Sequence, residues 1–235
     1  MKVFGIIARQ TVSTLTDAAH LALSAVSYSR YRRQSYRSAV LAEFHRATAP
    51  NIGWYSVVSL LMILVIVRLV VVTADSYDLS QYSLQVLIRT LVLELIPVFA
   101  ALMVALRYTL PRCQQIASGQ EPLLVMAGAL SMGLFTLLSC VFGLLVSYFM
   151  VFGFTPWGLP SYTYHVSRIF LPDTTMVFAA KTLLFCIAVT LIPVLSKRSL
   201  AAKGFSEEEV SLHSLTRVFI GLLLIEVIAL IAIYF

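Results

Sequence analysis

Five ionisable side chains stand inside otherwise apolar runs: Arg68, Arg89, Glu94, Lys181 and Glu226. In hydrocarbon such a group costs about 2.5–3.5 kcal/mol on insertion scales, so it pairs, reaches an interface or lines a wet cavity. Glu94 is the clearest case, in the stretch "LVLELIPVFAALMVALR" from Leu91 to Arg107. It lies about eleven residues into its run, near mid-depth at about 1.5 Å per residue. Lys181 falls roughly seven residues into a later run from one side, and Glu226 about nine into the last run from the other. Those depths permit Lys181 to meet either carboxylate. The chemistry open to the three is a structural ion pair between helices, or a polar cluster that lines or gates a substrate path. Pro97 offers no N–H to its helix and crowds the carbonyl one turn earlier, so a kink is expected beside Glu94. Arg89 is close enough to an interface to snorkel. Arg68 sits deeper, and the sequence names no acidic partner for it.

Other chemistries find no footing. The three cysteines, Cys113, Cys140 and Cys186, are odd in number and lack CxxC spacing, which argues against a disulfide framework or a metal site. His20, His45, His165 and His213 are scattered without ligand spacing. Two buried carboxylates could in principle work as acid and base, but they lie on separate segments with no HExxH or GxSxG beside them. A GxxxxGK[ST] loop is also missing, so no phosphate cradle for ATP is expected in this chain.

The elements that must position these residues follow from composition. The 235-residue chain is 60% hydrophobic and 12% charged, against roughly a quarter charged in soluble domains, and its mean hydropathy is +0.90. An all-α integral membrane protein is expected, as one domain over residues 1–235 without repeats or linkers. Five segments approach the roughly 20 apolar residues that a span requires: about 53–74, 83–106, 122–152, 175–196 and 217–235. The third is long enough to tilt or kink, and Gly128, Gly133 and Gly143 offer close helix approach there.

Basic residues set the expected orientation. The N-terminal region, the 107–121 connection (Arg107, Arg112) and the 197–217 connection (Lys197, Arg198, Lys203, Arg217) belong together in the cytoplasm. The 73–82 and 153–173 connections hold one basic residue, Arg168, and face outward, which puts the C-terminus in the periplasm. Residues 1–50 are expected to be retained rather than cleaved, because Arg9 soon interrupts the first apolar run. Their alternation of apolar residues with Arg, Ser and Tyr suits one or two amphipathic helices in the cytoplasmic interface. The "SRYRRQSYR" cluster interleaves Arg and Tyr as nucleic-acid binders do, yet positive-inside charge already accounts for it, and no nucleic acid is expected. Trp157, Tyr162 and Tyr164 in the second outer connection fit an interfacial aromatic belt, with contact to a periplasmic partner as the alternative.

Taken in order, these segments resemble a known family. "LELIPVFAALMVALR" is similar to the "RELGPVLTALVVAGR" signature of the MlaE/YrbE permeases, the membrane subunits of ABC transporters that work with MCE-domain proteins. "KTLLFCIAV" (181–189) resembles the family's "KSLVFGLII", and "AAKGFSEEEVSLHSLTRVFI" (201–220) resembles its segment before the last helix. Glu226 stands where the family tends to keep an aspartate. Two departures lie beside Glu94: Leu93 replaces an arginine and Ile96 a glycine. The segment after Arg107, "YTLPRCQQIASGQEP", lacks the family's "GsaiaAElGtM" coupling motif and is about twenty residues shorter.

The resemblance implies a permease subunit in the bacterial inner membrane. It would move phospholipid or another hydrophobic molecule to or from a periplasmic MCE protein. The implied partners are an ABC ATPase that uses the ATP, the MCE-domain protein, a second permease copy and, as a further candidate, a STAS-type subunit; no cofactor is implied in this chain. The region that would meet the ATPase holds Arg107, Arg112, Gln114 and Gln115. Its shortness leaves two further readings open, a non-transporting scaffold and the divergent half of a heterodimeric permease.

Overall fold

The computed structural model describes residues 23, 34–77, 80–117, 119–201 and 206–234. Among them the secondary structure is helical throughout. Five helical stretches are long and apolar enough to cross a membrane: Tyr36–Ser76, Leu84–Gln115, Glu121–Phe152, Pro172–Leu200 and Glu208–Ala232. They coincide in number and order with the five expected spans, and each is longer than its apolar run because the helix continues into polar sequence.

Helix α1 covers Gln34–Ser76 with Pro50 inside it. Residues 34–50, expected in a separate interfacial helix, are therefore continuous with the first span. The rest of the expected interfacial region lies outside the described residues, apart from Leu23. The second span is composite: α2 (Ser80–Ile88), a π-helical segment Arg89–Leu95, α3 (Ile96–Val104), a second π segment Ala105–Thr109, and α4 (Leu110–Gln115). Helix α5 runs unbroken over Glu121–Phe152, and α7 over Pro172–Ala201 encloses Pro193. The last helix, α8, is Glu207–Tyr234.

Both π segments have a sequence cause. Pro97 and Pro111 are each the second residue of the α segment that follows one. A proline in an unbroken α-helix collides with the carbonyl four residues back and leaves it without a donor. Widening the preceding turn relieves the collision: Ile96 N–H bonds back to the Leu91 carbonyl and Leu110 N–H to that of Ala105, five residues away in each case. The break expected at Pro97 thus takes the form of a π segment with Glu94 inside it. The same device corrects the expected 107–121 connection. The helix passes Pro111 and continues to Gln115, so Arg107 and Arg112 lie on the helix and the turn is confined to 116–120.

The 153–173 connection, expected to face outward, also differs from a plain loop. Gly153 ends α5 with φ 70°, a left-handed conformation that suits glycine. A short 3-10 turn, Pro156–Gly158, then leads into α6, Leu159–Ile169. Its signals were present in the sequence: Pro160 in the first turn, and Tyr162, Val166 and Ile169 spaced to share one face. Tyr162 and Ile169 are buried, whereas Phe154 and Trp157 are about nine-tenths exposed.

The chain divides into two compact units. One comprises Met1–Ala49, Leu102–Ser131 and Cys186–Leu222. In it Gly128 lets Thr190 and Tyr108 approach so closely that an added Cβ would meet the Thr190 methyl at 2.8 Å. The other comprises Pro50–Ala101, Met132–Phe185 and Leu223–Phe235. Its apolar core joins Ile63 and Val67 of α1 to Leu87, Ile88, Leu91, Val92 and Ile96, with Tyr162 and Ile169 from α6. Gly143 packs there against Ile96 and Val92, while Gly133 has open space around it. Hydroxyls supplement this packing: Tyr55 donates to the Phe135 carbonyl and lies 2.6 Å from Ser139, which in turn lies 2.7 Å from Ser59. The exterior keeps many large apolar side chains, among them Leu61, Val65, Leu69, Leu137 and Ile228, as a surface in lipid requires.

Candidate functional site

Lys181 is the centre of the strongest polar assembly. It sits on α7 with only 2% of its surface exposed, among the largest fully buried side chains of the protein. Its Nζ donates three hydrogen bonds: to Glu94 Oε2, to Glu226 Oε1 at 2.9 Å and to the Leu93 carbonyl at 3.1 Å. An ammonium has three protons to give, and here each has an acceptor. Both carboxylates are charge partners, which is what a cation held out of water requires. The structure therefore brings Glu94, Lys181 and Glu226 together in one unit, from the second, fourth and fifth spans.

The third acceptor explains Pro97. In α register the Leu93 carbonyl would bond to the N–H of residue 97, which is proline and has none. Lys181 supplies a donor to that carbonyl instead. The neighbouring departure from the family pattern also gains a physical role: Leu93 is buried in the apolar core, where the family's arginine would have to be accommodated. Glu226 Oε2 is buried without a hydrogen-bond partner, so the assembly holds two carboxylates against one ammonium and one carboxylate oxygen is unmatched.

The other sequence candidates fall elsewhere. Arg68 is exposed on α1 and takes part in none of the ion pairs found among the described residues. Arg89 opens the first π segment, half-buried. Arg112 binds Glu43 through both ends of its guanidinium, at 2.5 and 3.1 Å, and the Tyr108 hydroxyl donates to the same carboxylate at 3.4 Å. The carbonyl of Gln114 accepts from Lys197, as described next, whereas Gln115 is exposed at the end of α4. Arg107, Arg112 and Gln115 share the wall of a recess of about 290 Å³ with Glu43 and Arg46.

Several partners escaped the sequence reading. Lys197 counted there only as a cytoplasmic charge, yet its Nζ caps α4 by donating to the carbonyls of Cys113, Gln114 and Ile116 at 2.7, 3.2 and 3.3 Å. Arg198 grips Glu121 with two bonds, 3.1 and 2.6 Å, and so ties the start of α5 to the end of α7. Glu43, 3% exposed, gave a readable signal as an acid within the mixed polar and apolar stretch before the first apolar run. Near the C-terminal end of α5 the Tyr162 hydroxyl lies 2.9 Å from Ser147, and both reach the Leu144 carbonyl, at 2.7 and 2.9 Å. Burial raises the Tyr162 phenol above its usual pKa, and the Ser147 contact offsets this only in part. It serves as a neutral clasp that fastens α6 to α5.

Five helices long and apolar enough to cross a membrane, three of them meeting at a buried ion cluster, define a multi-pass membrane protein. The chain belongs to the permease MlaE family, whose model matches residues 40–120 and 124–234. No curated protein matches it. Membership makes it a membrane permease component of a lipid transporter.

Proposed function

We propose that this chain is the permease subunit of an MCE-type ABC transporter. It would move phospholipid or another hydrophobic molecule between the bacterial inner membrane and a periplasmic MCE protein. Two permease copies would enclose an outward-open lipid cavity, with apolar walls from the first, second and fifth spans. The ATP is used by a partner ATPase, whose closure squeezes the lipid out. The observation that carries this reading is the position of Lys181: one ammonium ties α7 to the π-helical turn of the second span and to α8 at once. π segments inside α-helices frequently mark functional sites, and this one carries the carboxylate that Lys181 holds against two other spans. Coupling to the ATPase is assigned to the end of the second span, where Arg112 and the Gln114 carbonyl are held by Glu43 and Lys197 and Gln115 is exposed.

The short turn at 116–120 favours one second reading, a divergent half of a heterodimer or a scaffold whose partner carries the lipid. Both readings meet the same experiment. The chain is co-expressed with its candidate ATPase and MCE partners, and Glu94→Gln and Lys181→Met variants are assayed for lipid transfer in complexes shown to be assembled. Loss of transfer at normal stoichiometry supports the transporting role. Unchanged transfer assigns the cluster to architecture alone.

A further inference from the structure

Arg68 stands apart from the Lys181 cluster. It is exposed on α1, and no ion pair found among the described residues includes it. Spacings of three and four residues put Val57, Leu61, Leu64, Val65 and Val72 on the same face, and all five are exposed. Tyr55, Ser59, Ile63 and Val67, on the far side of the helix, are buried.

Depth sets what Arg68 can meet. It follows Gly53 by 15 residues and precedes Asp75 by seven, which is about 22 Å from one end of the apolar run and about 10 Å from the other at 1.5 Å per residue. A helix aims its Cα–Cβ bonds toward its N-terminus, so this side chain sets out over Leu64 and Val65, away from the nearer end. Asp75 is exposed two turns further on along the same face, where its charge repels a lipid phosphate. Snorkelling to a headgroup thus works against both geometry and charge. A second copy of the chain fits no better. About a two-fold axis along the membrane normal this face would meet itself at one depth, Arg68 against Arg68, and like charges repel strongly where water is scarce. What matches is a carboxylate delivered at that depth, because a guanidinium fork takes both of its oxygens. Hydrocarbon admits the segment that carries it only as a helix, and the apolar rows beside Arg68 are spaced to pack against one.

We infer that this face of α1 docks a transmembrane helix of a different polypeptide, apolar apart from one Asp or Glu that Arg68 holds. The inference does not rest on the transport reading, since a transporting chain and a scaffold both present the face.

The test keeps the full chain in the membrane of the cells that make it. A photoreactive residue replaces Val65 or Val72, and adducts are identified by mass spectrometry with Arg68 intact and as Arg68→Leu. The expected adduct is a protein segment long and apolar enough to span, with an Asp or Glu within one turn of the linked residue. Arg68→Leu lowers its yield about ten-fold. The variant only removes an exposed charge from an apolar face, and an unchanged size-exclusion profile of the purified chain shows that the loss is not misfolding. Changing the partner's acid to its amide lowers the yield as far and adds nothing further to Arg68→Leu. Additive losses overturn the pairing. Adducts with phospholipid alone overturn the inference and give Arg68 to a headgroup, and adducts with a second copy alone make the face an interface between copies. A protein adduct that Arg68→Leu leaves unchanged, or the absence of any adduct, overturns it as well.

Discussion

Two lysines on one helix, Lys181 and Lys197, each donate to three acceptors, yet they solve different problems. Lys181 is sealed and faces two carboxylates and one carbonyl. Lys197 is half-buried and faces three carbonyls at the end of α4. Where water is excluded, the ammonium needs opposite charge, because dipoles alone do not repay its desolvation. Where water still reaches the side chain, helix-end carbonyls and water are enough, and the lysine becomes a cap. The first arrangement makes charges depend on one another; the second fixes a backbone end.

The comparison can be broken most directly at Lys181. Lys181→Met strands two carboxylates, and removing one partner of a buried pair costs about 3–5 kcal/mol. Thermal unfolding in detergent should show a large drop in midpoint; an unchanged midpoint would mean the ammonium is not the centre of the cluster. Adding Glu94→Gln and Glu226→Gln to Lys181→Met removes the stranded charges as well. Stability of the triple variant should recover by more than half of the loss, and no recovery would sink the claim that charge, not side-chain volume, is what Lys181 supplies.

Lys197→Met should cost far less, about 1 kcal/mol, since exposed carbonyls rehydrate. Its signature is local: hydrogen exchange rises at the amides of 116–120 while the core is unaffected. Uniform acceleration across the chain would erase the distinction between cap and cluster. The smallest effect belongs to Arg198→Gln, which removes an ion pair whose arginine is 46% exposed. A loss below about 1 kcal/mol that fades with added salt is expected, and a salt-independent loss would place that pair with Lys181 instead.

The three members of the cluster stood out in the sequence because an ionisable residue inside an apolar run is costly enough to need a reason. Depth along each run brought them within plausible reach. The Leu93 carbonyl was invisible at that stage, since it is common to every residue and became available only because Pro97 withholds its N–H. The helical course through Pro111 was misread for a related reason. A proline signals an end to an α-helix, and a reading by α periodicity does not register the widened π turn by which the helix accommodates the proline and continues. Helix α6 was overlooked because aromatic and proline content masked a short apolar face.

Chain composition by itself determined that this protein lives in a bilayer as five spans, because transferring that much apolar sequence into lipid outweighs any local preference. It also determined which charged residues need partners. Only tertiary structure decided who those partners are. Electrostatic and hydrogen-bonding energies fall off within a few ångströms, and residues separated by 45 and 87 positions, as Lys181 is from Glu226 and Glu94, meet only once helices are packed.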